Sequence, residues 1–436
     1  MNKVKLLTIT LFLFLFMTGQ GCERVTIPEE ICPNNDCNTP VNLTVWRVFE
    51  DREAIDPLIE KYVYKYPNVT ITYRKLDFTE YEDTLINALS AGRGPDIFQI
   101  HNDWLPRHWD KIAPVPEEIK TIDQYTELFV DVAADDFIFN NQIYAMPLSV
   151  DTLALYVNTA ILEDAKIFSP PATWQQFIEY SNRFTELTPQ GNIFMSGSAM
   201  GTANNINRAS DIIYALMLQN GTNMTAPDNS SASFALPIQT VTGENFYPGQ
   251  NSLEFYTNFA DPNNRNYSWN NDLAGSIQAF ENGQTVMMLN YAYQKPVIEK
   301  FKQPDVEFDI APLPTINTTD DPVSYANYWA ETVNKQSRNT AWAWHFVNFM
   351  AENSEIYTIR NSKPTALRAV AKDAYEVFDR QAYYAKSFYK IRATEVDDIF
   401  NQMIESVVTE DIPIDDAIDK AQNDVTALMI ANKIEQ

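Results

Sequence analysis

The chain reads as an α/β protein, and three observations carry that expectation. From Val41 onward, short β-rich runs alternate with segments of helical apolar spacing, in the order strand, helix, strand, helix, strand. At 436 residues, with 45% hydrophobic and 13% aromatic content, there is material for two substantial cores. Before Val41 lie a signal-like segment and a stretch with Pro28, Pro33 and Pro40 that belong to neither core.

The first segment has Lys3 and Lys5, an apolar run from Leu6 to Met17, and then Thr18-Gly19-Gln20-Gly21-Cys22. A basic start, a short apolar core and small residues before a cysteine make a secretory signal whose natural ending is lipid attachment at Cys22. The run is about a dozen residues where a spanning helix needs ~20, so a removed signal is expected over a permanent anchor. It resembles a bacterial lipoprotein signal, departing from that pattern at Gly19 and Gln20. The mature protein is therefore expected outside the cytoplasm, lipid-anchored to the cell membrane, with plain secretion as the alternative. Residues 23–40 read as a tether. Within it, Cys32 and Cys37 form either a small disulfide loop or two free thiols; a zinc site would need two more ligands, and no His or Cys is near. The net charge of -26 argues against nucleic acid or anionic lipid as partners, since both reward Lys and Arg.

The elements follow in order. Val41 to Phe49 is β-rich, Glu53 to Tyr66 has helical spacing ended by Pro67, and Val69 to Leu76 alternates as a second strand. Phe78 to Ala91 is helical again, and Asp96 to Ile100 is a third strand. Gly92 and Gly94 are expected at positive φ where the chain leaves that helix, and Pro95 forbids its continuation. Such βαβαβ order predicts a parallel sheet whose ligands bind beyond the strand C-termini, so the loops after Trp46 and Ile100 are the first places to look. Thr173 is a good N-cap for the turn Trp174 to Phe177. Asp96 is expected to serve the fold by accepting local backbone hydrogen bonds. Thr340 to Met350 has the repeat of a helix packed on a sheet, with Trp342, Phe346 and Phe349 mostly core. Ile414 to Gln422 opens with an acidic first turn favoured by the helix dipole.

Several of these runs carry a resemblance. Leu43-Thr44-Val45-Trp46, Pro67-Asn68-Val69, the run Leu89 to Phe98 and Tyr144-Ala145-Met146-Pro147-Leu148 with Leu155-Tyr156-Val157-Asn158 look like the family 1 extracellular solute-binding proteins. Pro170-Pro171-Ala172-Thr173-Trp174-Gln175-Gln176-Phe177 and Phe280 to Met288 extend the match in the family's order, from about residue 43 to about 425. These proteins are the capture subunits of ABC importers. The resemblance implies a two-lobed, periplasmic-binding-protein-like fold with hinge strands and a ligand cleft between the lobes. It places one lobe at 41–149 and 315–362 and the other at 152–312 and 365–436, with hinges at Leu148 to Asp151, Pro312 to Thr315 and Ser362 to Thr365. It also implies a monomer that uses no cofactor or metal and hands a small solute, a carbohydrate first, to membrane permease subunits.

Aromatic faces stack on sugar rings while carboxylates and amides bond to hydroxyls, so a sugar site wants both at loop ends. Matched to the family's maltose-binding member, Asp103 falls on a sugar-binding Asp, Asp151 on a hinge-proximal Glu and Tyr293 on a stacking Trp. Trp104 stands where that member has Arg and Ile100 where it has Trp, so maltodextrin itself is not implied. Trp46 and Arg47 at the end of the first strand, Trp104, Tyr291 beside Tyr293, and Trp329 complete the candidates, each aromatic having core as its alternative. Glu331 replaces a small apolar residue of the family. Trp269 reads as either a loop lid or a buried anchor, and Asp397 as part of a solvated face with Glu395 and Asp398.

Nothing marks an enzyme. His101, His108 and His345 are the only histidines and form no His-Glu-x-x-His. Gly197-Ser198-Ala199-Met200-Gly201 is out of register with a nucleophile elbow, and Arg265 puts a cation where a calcium loop at Asp261 would need oxygen. Two alternatives to sugar capture stay open: a cationic ligand such as a polyamine in the same fold, and a surface sugar-active hydrolase.

Overall fold

The strands Val41–Val48 (β1), Val69–Leu76 (β2) and Ile97–His101 (β3) run parallel, joined by the helices Asp56–Lys65 (α1) and Phe78–Ser90 (α2). They belong to a computed structural model that describes residues 32–33, 36–320 and 322–432. The signal-like segment, Cys22 and most of the tether lie outside those residues. Every second side chain of β1 from Val41 to Val45 is buried, as the pleat requires of one core-facing row. α2 starts where the Asp77 side chain accepts from the Thr79 amide, a cap that satisfies one of the free N–H groups of its first turn. Its last residue is Ser90, and the chain turns away at Gly92, whose φ is 65°. Gly94 does not take positive φ. It is required for space instead, since a Cβ there would lie 2.5 Å from the Leu89 Cδ2.

Two further strands complete this sheet: Trp329–Val333 runs antiparallel to β3, and Met146–Pro147 antiparallel to it in turn. The sheet is therefore mixed, because its fourth strand comes from a chain returning from elsewhere. That second region is built on an antiparallel sheet, Met287–Asn290, Ala154–Asn158 and Phe308–Ala311, whose central strand is buried along its whole length. Helices pack on it. Trp174–Phe184 is capped by Thr173, Ala209–Gln219 is buried over most of its length, and Ala393–Glu410 lies against the closing helix Ile414–Ala431.

Two hydrophobic cores result. The first takes Cys32, from the stretch expected to belong to neither core, and Val41 to Val150, and resumes from Ala326 to Ala385; the second takes Leu153 to Tyr325 and Ile391 to Met429. The first crossing lies beside Leu148 to Asp151. The second and third are displaced from the expected hinges. Pro312 and Pro314 flank Leu313, which stays in the second core with its amide on the Gln381 Oε1, while Ala366 and Leu367 stay in the first core. The crossing segments are hydrogen-bonded to one another: Leu153 N to Tyr325 O at 3.1 Å, Ala326 N to Lys386 O at 2.9 Å and Asn327 N to Asp151 O at 3.0 Å. Trp269 is a buried anchor, its Nε1 donating to the Asn205 Oδ1. Asp96 ties Thr44 to Ser337 through hydrogen bonds, a structural role. Cys32 and Cys37 are joined in a disulfide. Among the described residues no helix is long and apolar enough to cross a membrane.

Candidate functional site

A cavity of about 690 Å³ is lined by residues of both lobes and of the crossing segments. Its first wall starts at the end of β1. Arg47 lines the cavity with a buried side chain, its Nε 3.0 Å from the Glu331 Oε1, and Gln99 Nε2 donates to the same oxygen. Burial pushes the Glu331 carboxyl up, and Arg47 opposes that rise. Glu331, foreign to the family's pattern, is thus the counter-ion of Arg47. Trp46 is not in the cavity wall: successive strand residues point to opposite faces, and its ring is covered instead by the Arg74 guanidinium at 4.8 Å.

Aromatic rings make the rest of this wall. Trp104 and Trp329 meet edge to face at 5.1 Å, and Trp329 meets Phe49 at 5.8 Å. Phe49 and Phe78 stack at 5.2 Å and remain 52% and 57% exposed. Neither Phe was among the sequence candidates. The one available signal was a bulky aromatic at each strand-to-helix junction, where the turn places Phe49 at a φ of 69°.

At the end of β3, the His101 Nδ1 lies 2.6 Å from Asp103 Oδ1 and its Nε2 3.1 Å from Asn327 Oδ1. Asp103 Oδ2 meets Lys390 Nζ at 3.2 Å, and Lys390 meets Asp397 Oδ1 at 3.1 Å. Burial works to raise the Asp103 carboxyl, but His101 and Lys390 hold it well below the usual carboxylate range. Asp397 is therefore not on a merely solvated face; it lines the cavity and also accepts from the Tyr214 hydroxyl. Lys390 was missed because nothing local in its neighbourhood marks it.

The opposite wall comes from the second lobe. Asp151 accepts from the amides of Thr152, Ala292 and Tyr293, and burial pushes its carboxyl up to about 6. It holds the turn that presents Tyr293. That ring stacks on Tyr291 at 5.8 Å, and its hydroxyl accepts from Arg208 Nε. Tyr291 itself is fully buried, with its hydroxyl donating to Asp211 Oδ2, so it supports Tyr293 from behind and does not line the cavity. Of the sequence candidates, the fold brings together Arg47, Asp103, Trp104, Asp151, Tyr293 and Trp329, and leaves out Trp46 and Tyr291.

Two lobes, three strand crossings and a polar, aromatic-walled cavity between them define a ligand-capture protein. The chain belongs to the bacterial extracellular solute-binding protein family, whose sequence profile matches residues 48–355. It is 25% identical over 146 residues to the maltotriose-binding protein of Pyrococcus abyssi, a match covering 33% of this chain and 30% of that protein. It is 30% identical over 111 residues to an uncharacterized ABC transporter extracellular-binding protein of Pyrococcus horikoshii, covering 24% and 25%. These matches span less than a third of either relative. Whole-chain likeness appears in solved structures. The sugar-binding protein of Xanthomonas citri superposes with a TM-score of 0.73 at 16% identity, covering 90% of this chain and 98% of that one. The cyclic alpha-maltosyl-1,6-maltose binding protein of Arthrobacter globiformis gives 0.71 at 18%, covering 90% and 100%. At such identities the likeness is one of fold.

Proposed function

We propose that this protein is the solute-capture subunit of an ABC importer, taking a carbohydrate into the inter-lobe cavity and delivering it to a membrane permease. The observation that carries this reading is the opposition of rings across one cavity: Trp104, Trp329, Phe49 and Phe78 on one lobe, Tyr293 on the other, with carboxylates and amides between. Aromatic faces match the C–H face of a pyranose, and the polar groups match its hydroxyls. Relatives whose names describe maltotriose or maltosyl-maltose binding support the same class. A ligand touching both walls favours the closed arrangement, because only there are both sets of contacts made. The crossings at 150–153, 325–326 and 385–391 are the pivots of that motion.

The chain performs no catalytic step in this reading, works as a monomer, and is anchored by a lipid on Cys22 after removal of residues 1–21. Cys22→Ser should move the protein from the membrane fraction to the medium or periplasm; unchanged membrane association would sink the anchor. The test of ligand class is a thermal-shift screen of oligosaccharides on the soluble form starting at Glu23. A saccharide at a hundred times its Kd adds ~2.7 kcal/mol to stability, enough to raise Tm measurably. Silence across a broad saccharide panel overturns the carbohydrate assignment. Turnover of a chromogenic glycoside, lost on Asp103→Asn, would favour a hydrolase instead.

A further inference from the structure

One side chain of the cavity wall, Lys390, has its ammonium enclosed by aromatic rings and carboxylates. Lys390 sits on the crossing segment between Ala385, the last residue of the first core there, and Ile391, the first of the second. Its Nζ lies 5.0 Å from the ring centre of Tyr214, 5.6 Å from Tyr325 and 5.7 Å from Phe388, three aromatic faces around one cation. Two carboxylates complete the shell, Asp103 of the first lobe at 3.2 Å and Asp397 of the second at 3.1 Å. Aromatic faces together with carboxylates are how proteins bind free ammonium ligands, because ring quadrupole and carboxylate charge both stabilise a desolvated cation. The side chain is 3% exposed, so the ammonium has left water and depends on these partners.

We propose that Lys390 is the specificity-determining residue of this cavity: a built-in cation that occupies an ammonium cage, excludes amine ligands and leaves the cleft for a neutral polyol. The inference rests on the cavity being the ligand site and deepens the carbohydrate reading by naming what rejects its main competitor. Without Lys390, Asp103 and Asp397 would face the cavity as buried or half-buried anions among aromatic rings. Such a site attracts any small primary amine that fits. With Lys390 in place, an incoming ammonium meets a like charge and finds both carboxylates taken, and repulsion of that kind discriminates as effectively as attraction. Lys390 also joins the two lobes, since its two ion pairs end on different cores.

The test is chemical rescue. In the Lys390→Ala protein, n-propylammonium chloride should raise Tm saturably by about 2 °C or more, while sodium chloride at equal ionic strength should not. The wild-type protein should respond to neither, nor to putrescine or spermidine. If Lys390→Ala does not fold unaided, the yield on dilution from denaturant should rise with propylammonium and not with sodium chloride. Equal effects of the two salts, absence of any amine effect on stability or yield, or stabilisation of wild type by putrescine would each overturn the proposal. These outcomes are separate from the saccharide screen. Wild type silent to every saccharide but with an amine-rescued Lys390→Ala would remove the carbohydrate and keep the filled cage. A saccharide hit with no rescue would do the reverse.

Discussion

Arg47 and Glu331 show how one buried ion pair can hold a wall of the site. Their side chains are 2% and 1% exposed and come from β1 and from the returning strand Trp329–Val333, which also carries Trp329 of the aromatic wall. Removing Glu331 takes away the nearer carboxylate of the buried Arg47 and leaves it only Glu50, at 3.6 Å. Glu331→Ala is therefore expected to lower unfolding stability by about 3 kcal/mol, the lower end for a broken buried pair because Glu50 remains, while the double change Arg47→Met with Glu331→Leu should recover most of that loss. Urea denaturation of the three proteins measures both; equal stability of Glu331→Ala and wild type would refute the assignment. The aromatic walls make a second expectation. Tyr293→Ala should weaken saccharide binding by about tenfold, the scale of one lost ring contact, whereas Trp46→Ala should leave affinity unchanged because its ring lies under Arg74 away from the cavity. Isothermal titration of the two variants separates these roles.

At the scale of elements, the third crossing is fastened to the first lobe by a carboxylate. Asp136, on the helix Asp131–Phe137, accepts from the hydroxyls of Ser387 and Tyr328 and from Asn102 Nδ2. Burial pushes its carboxyl up to about 7 despite those donors. The unfolded chain would ionise it near ~4, so between about pH 4 and 7 the folded state binds the extra proton and stability falls as pH rises through that window. Asp151, raised to about 6, acts in the same direction, and so does His101, whose raised value contributes stability that is lost as pH climbs through it. Asp103 is opposite: its lowered carboxyl contributes stability above ~4 that is lost on acidification. The expectation is that Asp136→Asn flattens the decline in urea midpoint between about pH 4 and 7 without abolishing it. An unaltered slope would show that Asp136 does not titrate in this range.

For the whole molecule, a ligand that bridges the lobes should make it more compact. Small-angle scattering should register a smaller radius of gyration with a binding saccharide than without, and no change on a confirmed hit would argue against lobe closure. Which parts of this could be read in advance follows from the range of the interactions involved. The βαβαβ order of the first lobe, the Thr173 cap and the stop at Gly92 were legible because apolar period, capping and positive φ are set within a few residues. That Asp103, Trp104, Asp151, Tyr293 and Trp329 would line one cavity was legible too, since aromatic and acidic side chains at strand ends carry their chemistry with them. Alternation along β1 separates Trp46 from Arg47 but does not say which row faces the cavity; the sheet's neighbours decide that. The late crossings at 325–326 and 385–391, the burial of Tyr291 behind Tyr293, and the joining of Lys390 to Asp103 also belong to tertiary structure alone. Each depends on residues far apart in the chain that meet only after both cores have formed, and short-range pattern carries no information about such meetings.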